Sequence, residues 1–167
     1  MKPESHETSP ALASVIWWRR YPAVPRSVPV ARHHASRLLA DRGVPEAARS
    51  TAELLVSELV TNAVRHGRVP GRLLELRMTY GLEKIVTVEV SDAGDRRPPA
   101  APPDDSADDV AESGRGLALV AAFADSWGVR DREVGKTVWA RLIVEPVRPD
   151  PTTQHSSPHV SDASRRA

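Results

Sequence analysis

The sequence contains no cysteine. This absence excludes disulfide bonds, thiolate catalysis and zinc sites built from cysteine, and it allows a reducing compartment. The chain also has no run of eighteen apolar residues and no apolar core of a secretory signal near its start. We therefore expect a cytoplasmic protein that makes no contact with a membrane.

Neither sign of charge dominates. There are 23 Lys and Arg residues against 22 Asp and Glu residues, which gives a formal net charge of +1. Proteins that bind nucleic acid through a general basic field carry a large excess of positive charge, so nucleic acid is not an expected partner. A chain of 167 residues is long enough for one domain with a single core, plus tails.

The clearest helical pattern lies in residues 53–67. At roughly 100° per residue its apolar side chains fall on one broad arc, which we expect to face the core. Two polar residues, Glu58 and Asn62, lie one turn apart on another face and indicate either a solvated rim or a chemical site. Gly67 is expected to end the helix in a left-handed conformation. The apolar arc consists of Ala52, Val56, Leu59, Val60, Ala63 and Val64.

Two elements precede this helix. Residues 15–21 have the aromatic and β-branched composition of a strand, and the prolines that follow prevent it from continuing far. Residues 27–40 are predicted to be a helix, with Ser27 as its N-cap and Val30 among its inward residues.

The elements after the helix complete a sheet. Residues 73–80 and 84–91 alternate and are expected to pair as an antiparallel hairpin. A short helix is predicted over 116–124, followed by strands over 126–130 and 136–144. Four or five mostly antiparallel strands with three helices on one face make an α+β fold, a two-layer sandwich.

Composition divides the chain into a domain and two tails. Residues 1–13 and 147–167 are polar and lack periodicity, so we expect a flexible tail at the start and a disordered tail at the end. The domain spans 14–146. Within it, residues 93–113 are rich in proline and aspartate, and a stretch of this length without periodicity is either a functional lid or a linker.

Asp92 follows a predicted strand and precedes Gly94. A carboxylate there can accept a hydrogen bond from an amino group of a ligand, while the glycine lets the backbone approach a flat ring. The simpler alternative is an Asx-turn that closes the strand.

The turn Gly114, Arg115 and Gly116 is predicted to open the next helix. Free backbone N–H groups and the positive end of the helix dipole favour a phosphate at such a position. Arg115 either adds a cation there or is an exposed arginine. The third glycine of a dinucleotide fingerprint is missing, and no Walker-type phosphate loop occurs in the sequence.

In their order and spacing, the segments around Asn62, Asp92, Gly116 and Thr137 resemble the N-box, G1-box, G2-box and closing threonine strand of GHKL, or Bergerat-fold, ATP-binding domains. Over residues 14–144 the chain most resembles bacterial anti-sigma factor serine/threonine kinases of the RsbW type. The resemblance implies a sandwich of the Bergerat type, ATP and Mg²⁺ as cofactors, and a lid over the ATP at 93–113.

The resemblance also implies a role for each matching residue. Asn62 would bind Mg²⁺, and Glu58 would act as the catalytic base for the attacking hydroxyl. Asp92 would read adenine with the help of Thr137. The other cofactor-binding residues implied in this way are Gly94, Gly114, Arg115, Gly116 and Leu117.

Three functions come into question for such a chain. The first is a kinase that phosphorylates an anti-sigma factor antagonist and sequesters a sigma factor. The second is a regulatory module that binds ATP and a protein partner without phosphoryl transfer. The third, a histidine kinase, needs a helical domain carrying a phosphorylatable histidine, for which we expect no room before the first strand. The resemblance also implies a homodimer as one assembly state.

Overall fold

The structure, a computed structural model, describes residues 15–81, 83–94 and 111–144. The tails predicted over 1–13 and 147–167, and most of the predicted lid, lie outside these residues. The helices and strands, in chain order, are β1 (Val15–Pro22), α1 (Ser27–Asp41), α2 (Glu46–His66), β2 (Leu73–Tyr80), β3 (Ile85–Asp92), α3 (Ala111–Phe123), β4 (Ser126–Asp131) and β5 (Lys136–Ile143).

The five strands form one sheet in the order β1-β2-β3-β5-β4, and each neighbouring pair is antiparallel. The three helices pack with this sheet and with one another. This arrangement confirms the predicted α+β sandwich and is consistent with the Bergerat type. None of the helices in the described part of the chain is long and apolar enough to cross a membrane.

The core lies between the helices and one face of the sheet. In β3, residues Val86, Val88 and Val90 are buried while the residues between them are only half-buried, as expected when successive side chains point to opposite faces. Because the alternation places the even-numbered residues of β3 inward, Asp92 at the strand end faces the helices as well. The buried residues of β2 are Leu74, Leu76 and Met78.

Helix α2 is the central helix of the core. Its apolar arc is buried as predicted except for Val64, which is only partly buried against the core, and Leu55 joins the buried set. Glu46 in the first turn and Arg65 in the last turn each have the charge that the helix dipole favours. Gly67 does follow the helix, but its φ is −105°, so the predicted left-handed cap is wrong. The reason for a glycine at this position is spatial and involves Asp92.

Two predictions for α1 are wrong. Arg26 is the N-cap, and the Ser27 hydroxyl instead donates a 2.7 Å hydrogen bond to the carbonyl oxygen of Pro22. Val30 is 45% exposed, because the inward face is made by residues four apart. That face consists of Ser27, Ala31, Ala35 and Leu39.

Helix α1 is joined to β1 by a hydrogen bond of 2.9 Å between the Tyr21 hydroxyl and His34 Nδ1. Burial raises the pKa of Tyr21 to about 12. Burial, together with the nearby Arg19, lowers the pKa of His34. Both shifts favour the uncharged forms, so the contact is neutral at physiological pH.

Helix α3 begins at Ala111, five residues before the predicted start at Gly116. Residues 111–113, which the sequence analysis included in the lid, are therefore helical. Gly114, Arg115 and Gly116 lie inside the helix and do not form the turn that opens it.

Candidate functional site

A small pocket lies between the second half of α2 and α3. Glu58 and Asn62 both line it, because residues four apart on a helix share a face. Gly116 and Leu117 of α3 line it from the other side, so four of the predicted site residues converge here. The pocket has a volume of about 30 Å³. The remaining lining residues are Thr61, Arg65 and His66.

Glu58 lies directly against the backbone of α3. A Cβ atom added to Gly116 would come within 2.7 Å of Glu58 Oε2. Any larger residue at position 116 would therefore displace this carboxylate or push the two helices apart. Gly116, which has no side chain, therefore allows α3 to approach α2 closely.

Asn62 is only 8% exposed, although it lies on the polar face of α2. Its side-chain nitrogen Nδ2 is buried and has no hydrogen-bond partner in the structure. Buried polar groups are nearly always paired, and an unpaired one destabilises the fold by about 1–3 kcal/mol. A ligand or a water molecule in the pocket would supply the missing partner of Asn62.

Asp92, at the end of β3, forms a buried ion pair with Lys136, the first residue of β5. Lys136 Nζ lies 2.9 Å from Asp92 Oδ1, and both side chains are 2% exposed. The backbone N–H of Gly94 donates to the same oxygen at 2.9 Å. The other oxygen, Oδ2, is buried and has no partner.

Three glycines allow the backbone to pack closely around Asp92. A Cβ atom on Gly67 would lie 2.1 Å from Asp92 Cγ, and one on Gly94 would lie 2.7 Å from Gly67 Cα. Gly135 has a φ of +73°, and a Cβ atom there would meet the Asp92 carbonyl oxygen at 1.9 Å. Because these three residues have no side chains, the end of α2 and the ends of two strands can meet at one point.

The end of α2 connects the Asn62 pocket to the Asp92 carboxylate. Asn62 and Gly67 are five residues apart, which corresponds to about 7.5 Å along a helix axis. His66 lines the pocket, and its carbonyl oxygen would be 2.9 Å from a Cβ atom on Gly94. Asp92 itself does not line the pocket.

A wider groove of about 490 Å³ passes the same strand ends, with Asp92 and Ser91 among its lining residues. Arg20 and Glu75, which form an ion pair of 3.1 Å, also line it. The register puts Arg20, Glu75 and Ser91 on the face of the sheet away from the helices. Asp92 thus lies between the small inner pocket and this outer groove.

The structure does not bring Thr137 to the Asp92 carboxylate. Thr137 pairs with Ser91 across the sheet, and their hydroxyl oxygens are 2.8 Å apart. Because neighbouring residues of a strand point to opposite faces, Lys136 faces the helices and Thr137 faces away from them. The role in adenine recognition that the resemblance implied for Thr137 stays a prediction, and this placement does not support it.

Gly114 and Arg115 belong to the N-terminal part of α3. The N–H groups that have no partner within a helix are those of its N-cap and its first three residues, so the N–H of Gly114, the fourth residue of α3, already falls beyond the first turn. The N–H groups of Arg115 and Gly116 fall beyond that turn. Phosphate binding by Gly114 and Arg115 stays a prediction.

Sequence reasoning missed Lys136 and the spatial role of Gly67. One signal for Lys136 was available: lysine occurs only at positions 2, 84 and 136 in a chain rich in arginine, and this one begins a buried strand. No signal pointed to Gly67, since a glycine after a helix is ordinary.

Comparisons with known proteins agree with this arrangement. The histidine kinase-like ATPase domain family matches residues 21–142. No curated protein matches the sequence significantly. A structure of the RsbU and RsbW domains of Rv1364c from Mycobacterium tuberculosis superposes with a TM-score of 0.61 at 18% identity, over 79% of this chain and 33% of that one.

The SiaB-SiaC complex from Pseudomonas aeruginosa superposes with a TM-score of 0.55 at 11% identity, over 78% of this chain and 90% of that one. At these identities the two similarities concern the fold. This chain spans only about a third of the length of the Mycobacterium tuberculosis structure, 33%. The family match, in contrast, covers most of the chain, from Tyr21 near the end of β1 to Leu142 near the end of β5. The chain belongs to the histidine kinase-like ATPase domain family.

Proposed function

We propose that this protein binds ATP with Mg²⁺ at the end of α2 and transfers the γ-phosphoryl group to a serine or threonine of a protein partner. One observation carries the proposal: two buried polar atoms without partners, Asp92 Oδ2 and Asn62 Nδ2, lie near the same helix end. The family match supports ATP as the ligand that would pair them.

The Asp92 side suits the base of the nucleotide. A carboxylate oxygen without a partner accepts an N–H, and the amino group of adenine supplies one. Gly94 keeps the backbone close without a side chain that would cover the base.

The Asn62 side suits the phosphates and the metal. Mg²⁺ keeps several water and phosphate ligands and needs few protein oxygens, so the side-chain oxygen of Asn62 is sufficient. In the described residues no three His, Asp or Glu side chains cluster in a way that could hold a metal ion without phosphates.

The small pocket is too narrow for a triphosphate. Its volume of about 30 Å³ has room for one or two water molecules, whereas sites for small-molecule ligands are about 300–1,000 Å³. We therefore expect α3 to move away from α2 when the nucleotide binds. Because Gly116 has no side chain, α3 can lie close to Glu58 of α2 before the nucleotide binds.

Glu58 is the proposed general base of the phosphoryl transfer. When bound, Mg²⁺ and ATP supply the polarised γ-phosphoryl group. Glu58 accepts the proton of the partner's hydroxyl, whose oxygen forms the new bond to phosphorus while ADP leaves with the bridging oxygen. Asn62, one turn later on the same face, lines the same pocket and would hold the metal.

The partners are proposed on coarser grounds. The similarity to an RsbW domain and to a complex of two proteins supports a regulatory role exercised through protein partners. We propose an anti-sigma factor antagonist as the substrate and a sigma factor as the protein that is sequestered. A homodimer is the proposed assembly state.

Incubation with γ-labelled ATP, Mg²⁺ and a panel of antagonist proteins tests the reaction. We expect label on a serine or threonine of one antagonist, and at least a hundredfold slower transfer by Glu58→Gln, since general-base catalysis contributes about 10²- to 10⁴-fold. Glu53→Gln, the same change on α2 outside the pocket, is the matched control.

Equilibrium ATP binding is measured on the same variants. Glu58→Gln should still bind ATP. If no antagonist is labelled although ATP binds, the second function, a regulatory module that binds ATP without transfer, replaces the kinase.

A further inference from the structure

The outer groove, which passes the strand ends beside Asp92, has no role in the proposed phosphoryl transfer. Its volume of about 490 Å³ lies within the range of about 300–1,000 Å³ that is typical of ligand sites. Its lining residues come from the ends of β1, β2 and β3 and from the turn between β4 and β5. Since neighbouring strands are about 4.8 Å apart, the path from β1 to β5 is about 15 Å long, which matches about four or five residues of an extended chain.

The groove has an excess of unpaired positive charge. Arg72 and Arg132 line it and are exposed, and neither forms an ion pair within the part of the chain that the structure describes. The third lining arginine, Arg20, is already paired with Glu75 at 3.1 Å. The carboxylate at the end of β3 is neutralised by its buried lysine, so Glu133 is the only lining carboxylate without a cation of its own. The remaining charge favours a ligand with more than one negative group.

The groove also exposes two apolar side chains. Leu73 is 53% exposed and Val134 is 55% exposed. Leu73 lies on the outer face of the sheet, as Glu75 does, because the two residues are two positions apart in β2. A free phosphate or another small anion would leave both apolar side chains in water. A peptide chain, in contrast, can present carboxylates and apolar side chains together.

We propose that the outer groove is the docking site for an extended acidic segment of a protein partner. Carboxylates of this segment pair with Arg72 and Arg132, and an apolar side chain packs on Leu73. The groove includes Ala93, so docking places the partner beside the end of the proposed nucleotide site where the base binds. The docking itself needs no nucleotide, and it is therefore tested separately from the proposed function.

Fluorescence anisotropy of labelled peptides, titrated with the full chain in the absence of nucleotide, tests the docking. The first peptide alternates glutamate and leucine, the second replaces leucine by serine, and the third replaces glutamate by lysine. We expect saturable binding of the glutamate–leucine peptide, weaker binding of the glutamate–serine peptide and no binding of the lysine peptide.

Charge reversal identifies the arginines that bind the peptide. An exposed ion pair contributes up to about fivefold to binding and reversal adds repulsion, so Arg72→Glu and Arg132→Glu should each weaken binding about three- to tenfold. Arg32→Glu, the same change at an exposed position of α1 outside the groove, should leave the affinity unchanged. All three positions are exposed, so we expect the variants to fold.

Leu73→Ser separates the apolar contact from the charges. It should weaken binding of the glutamate–leucine peptide by about fivefold, because less apolar area is then buried, and leave the glutamate–serine peptide unaffected. The inference is overturned if the glutamate–leucine peptide does not bind, if the lysine peptide binds equally well, or if Arg72→Glu and Arg132→Glu bind as tightly as Arg32→Glu. It is also overturned if sedimentation shows that the two reversals together convert a dimer into a monomer, because a second copy of the chain then occupies the groove.

Discussion

Gly67 has an ordinary backbone conformation, and yet no other residue fits its position. Its φ of −105° is open to any amino acid. What requires glycine is the Asp92 carboxyl group, whose three nearest atoms lie within 2.1–2.5 Å of the place of a Cβ. The opposite case is Gly43, where φ is +68° and a Cβ would meet nothing within 4 Å.

This contrast gives a paired prediction. Gly67→Ala should displace Asp92 and lower the affinity for ATP by at least tenfold, since the displaced carboxylate loses a hydrogen bond to the base worth about 1–3 kcal/mol. Gly43→Ala should leave the affinity unchanged and lower the free energy of unfolding by about 1 kcal/mol, because it strains the backbone. Nucleotide titration and urea unfolding of both variants measure the two effects.

The reverse pattern, with ATP affinity lost in Gly43→Ala and kept in Gly67→Ala, would show that the base does not bind at Asp92.

Single residues of the site were predictable where a motif surrounds them, as for Asp92 before Gly94. Lys136 was not predictable, because its ion pair is with a residue 44 positions away in the sequence.

Helix α2 contributes to the core with one face and to the site with another. Leu55, Leu59 and Ala63 are buried on the inward face, while Glu58 and Asn62 line the pocket with α3. The same 3.6-residue period produces both faces, so the helix cannot rotate to improve one without disturbing the other. The positions of Glu58 and Asn62 are therefore coupled to core packing.

The hairpin between β2 and β3 contains the only positive φ at a non-glycine position among the described residues, 58° at Lys84. We predict that Lys84→Gly raises the free energy of unfolding by about 0.5–1 kcal/mol, because the relief of the left-handed strain exceeds the extra entropy of the unfolded glycine. Lys84→Ala keeps a Cβ atom and should give no such gain. Urea midpoints with unchanged m-values compare the variants; equal midpoints would contradict the prediction.

Elements were predictable where their pattern is long. The order of strands and helices, the end of α2 and, to within one residue, the bounds of both hairpin strands follow from periodicity, whereas α2 begins at Glu46, seven residues before the clearest helical pattern. The start of α3 was misplaced because glycines at 114 and 116 were interpreted as a turn, whereas both lie inside a helix that packs against α2. Val30 was misplaced because α1 buries its small residues and exposes this larger one.

The whole molecule brings together residues that are far apart in the chain. β3 lies between β2 and β5, so Lys136 and Asp92 become direct neighbours in the sheet. α2 crosses this sheet and ends at the same point. The residues of the site therefore come together only when the whole domain is folded.

A ligand that binds only the folded chain should stabilise that unit. We predict that Mg²⁺ and ATP at a hundred times the dissociation constant raise the free energy of unfolding by about 2.7 kcal/mol. Removing Mg²⁺ with EDTA should reduce this increase in the free energy of unfolding, because the proposed link between Asn62 and the phosphates through the metal is then lost. Denaturant unfolding at fixed nucleotide concentration measures both, and a stability independent of ATP would contradict nucleotide binding by this fold.

The sequence by itself determined the order of the elements, the two-layer arrangement and the shared face of Glu58 and Asn62, which line one pocket, because periodicity and short motifs are local properties. Only the tertiary structure decided that Lys136 holds Asp92, that Thr137 faces away from it, and that Gly67 must lack a side chain. These facts depend on strand register and on the distance between elements. Register and distance are set by the packing of the whole core, which no short stretch of sequence contains.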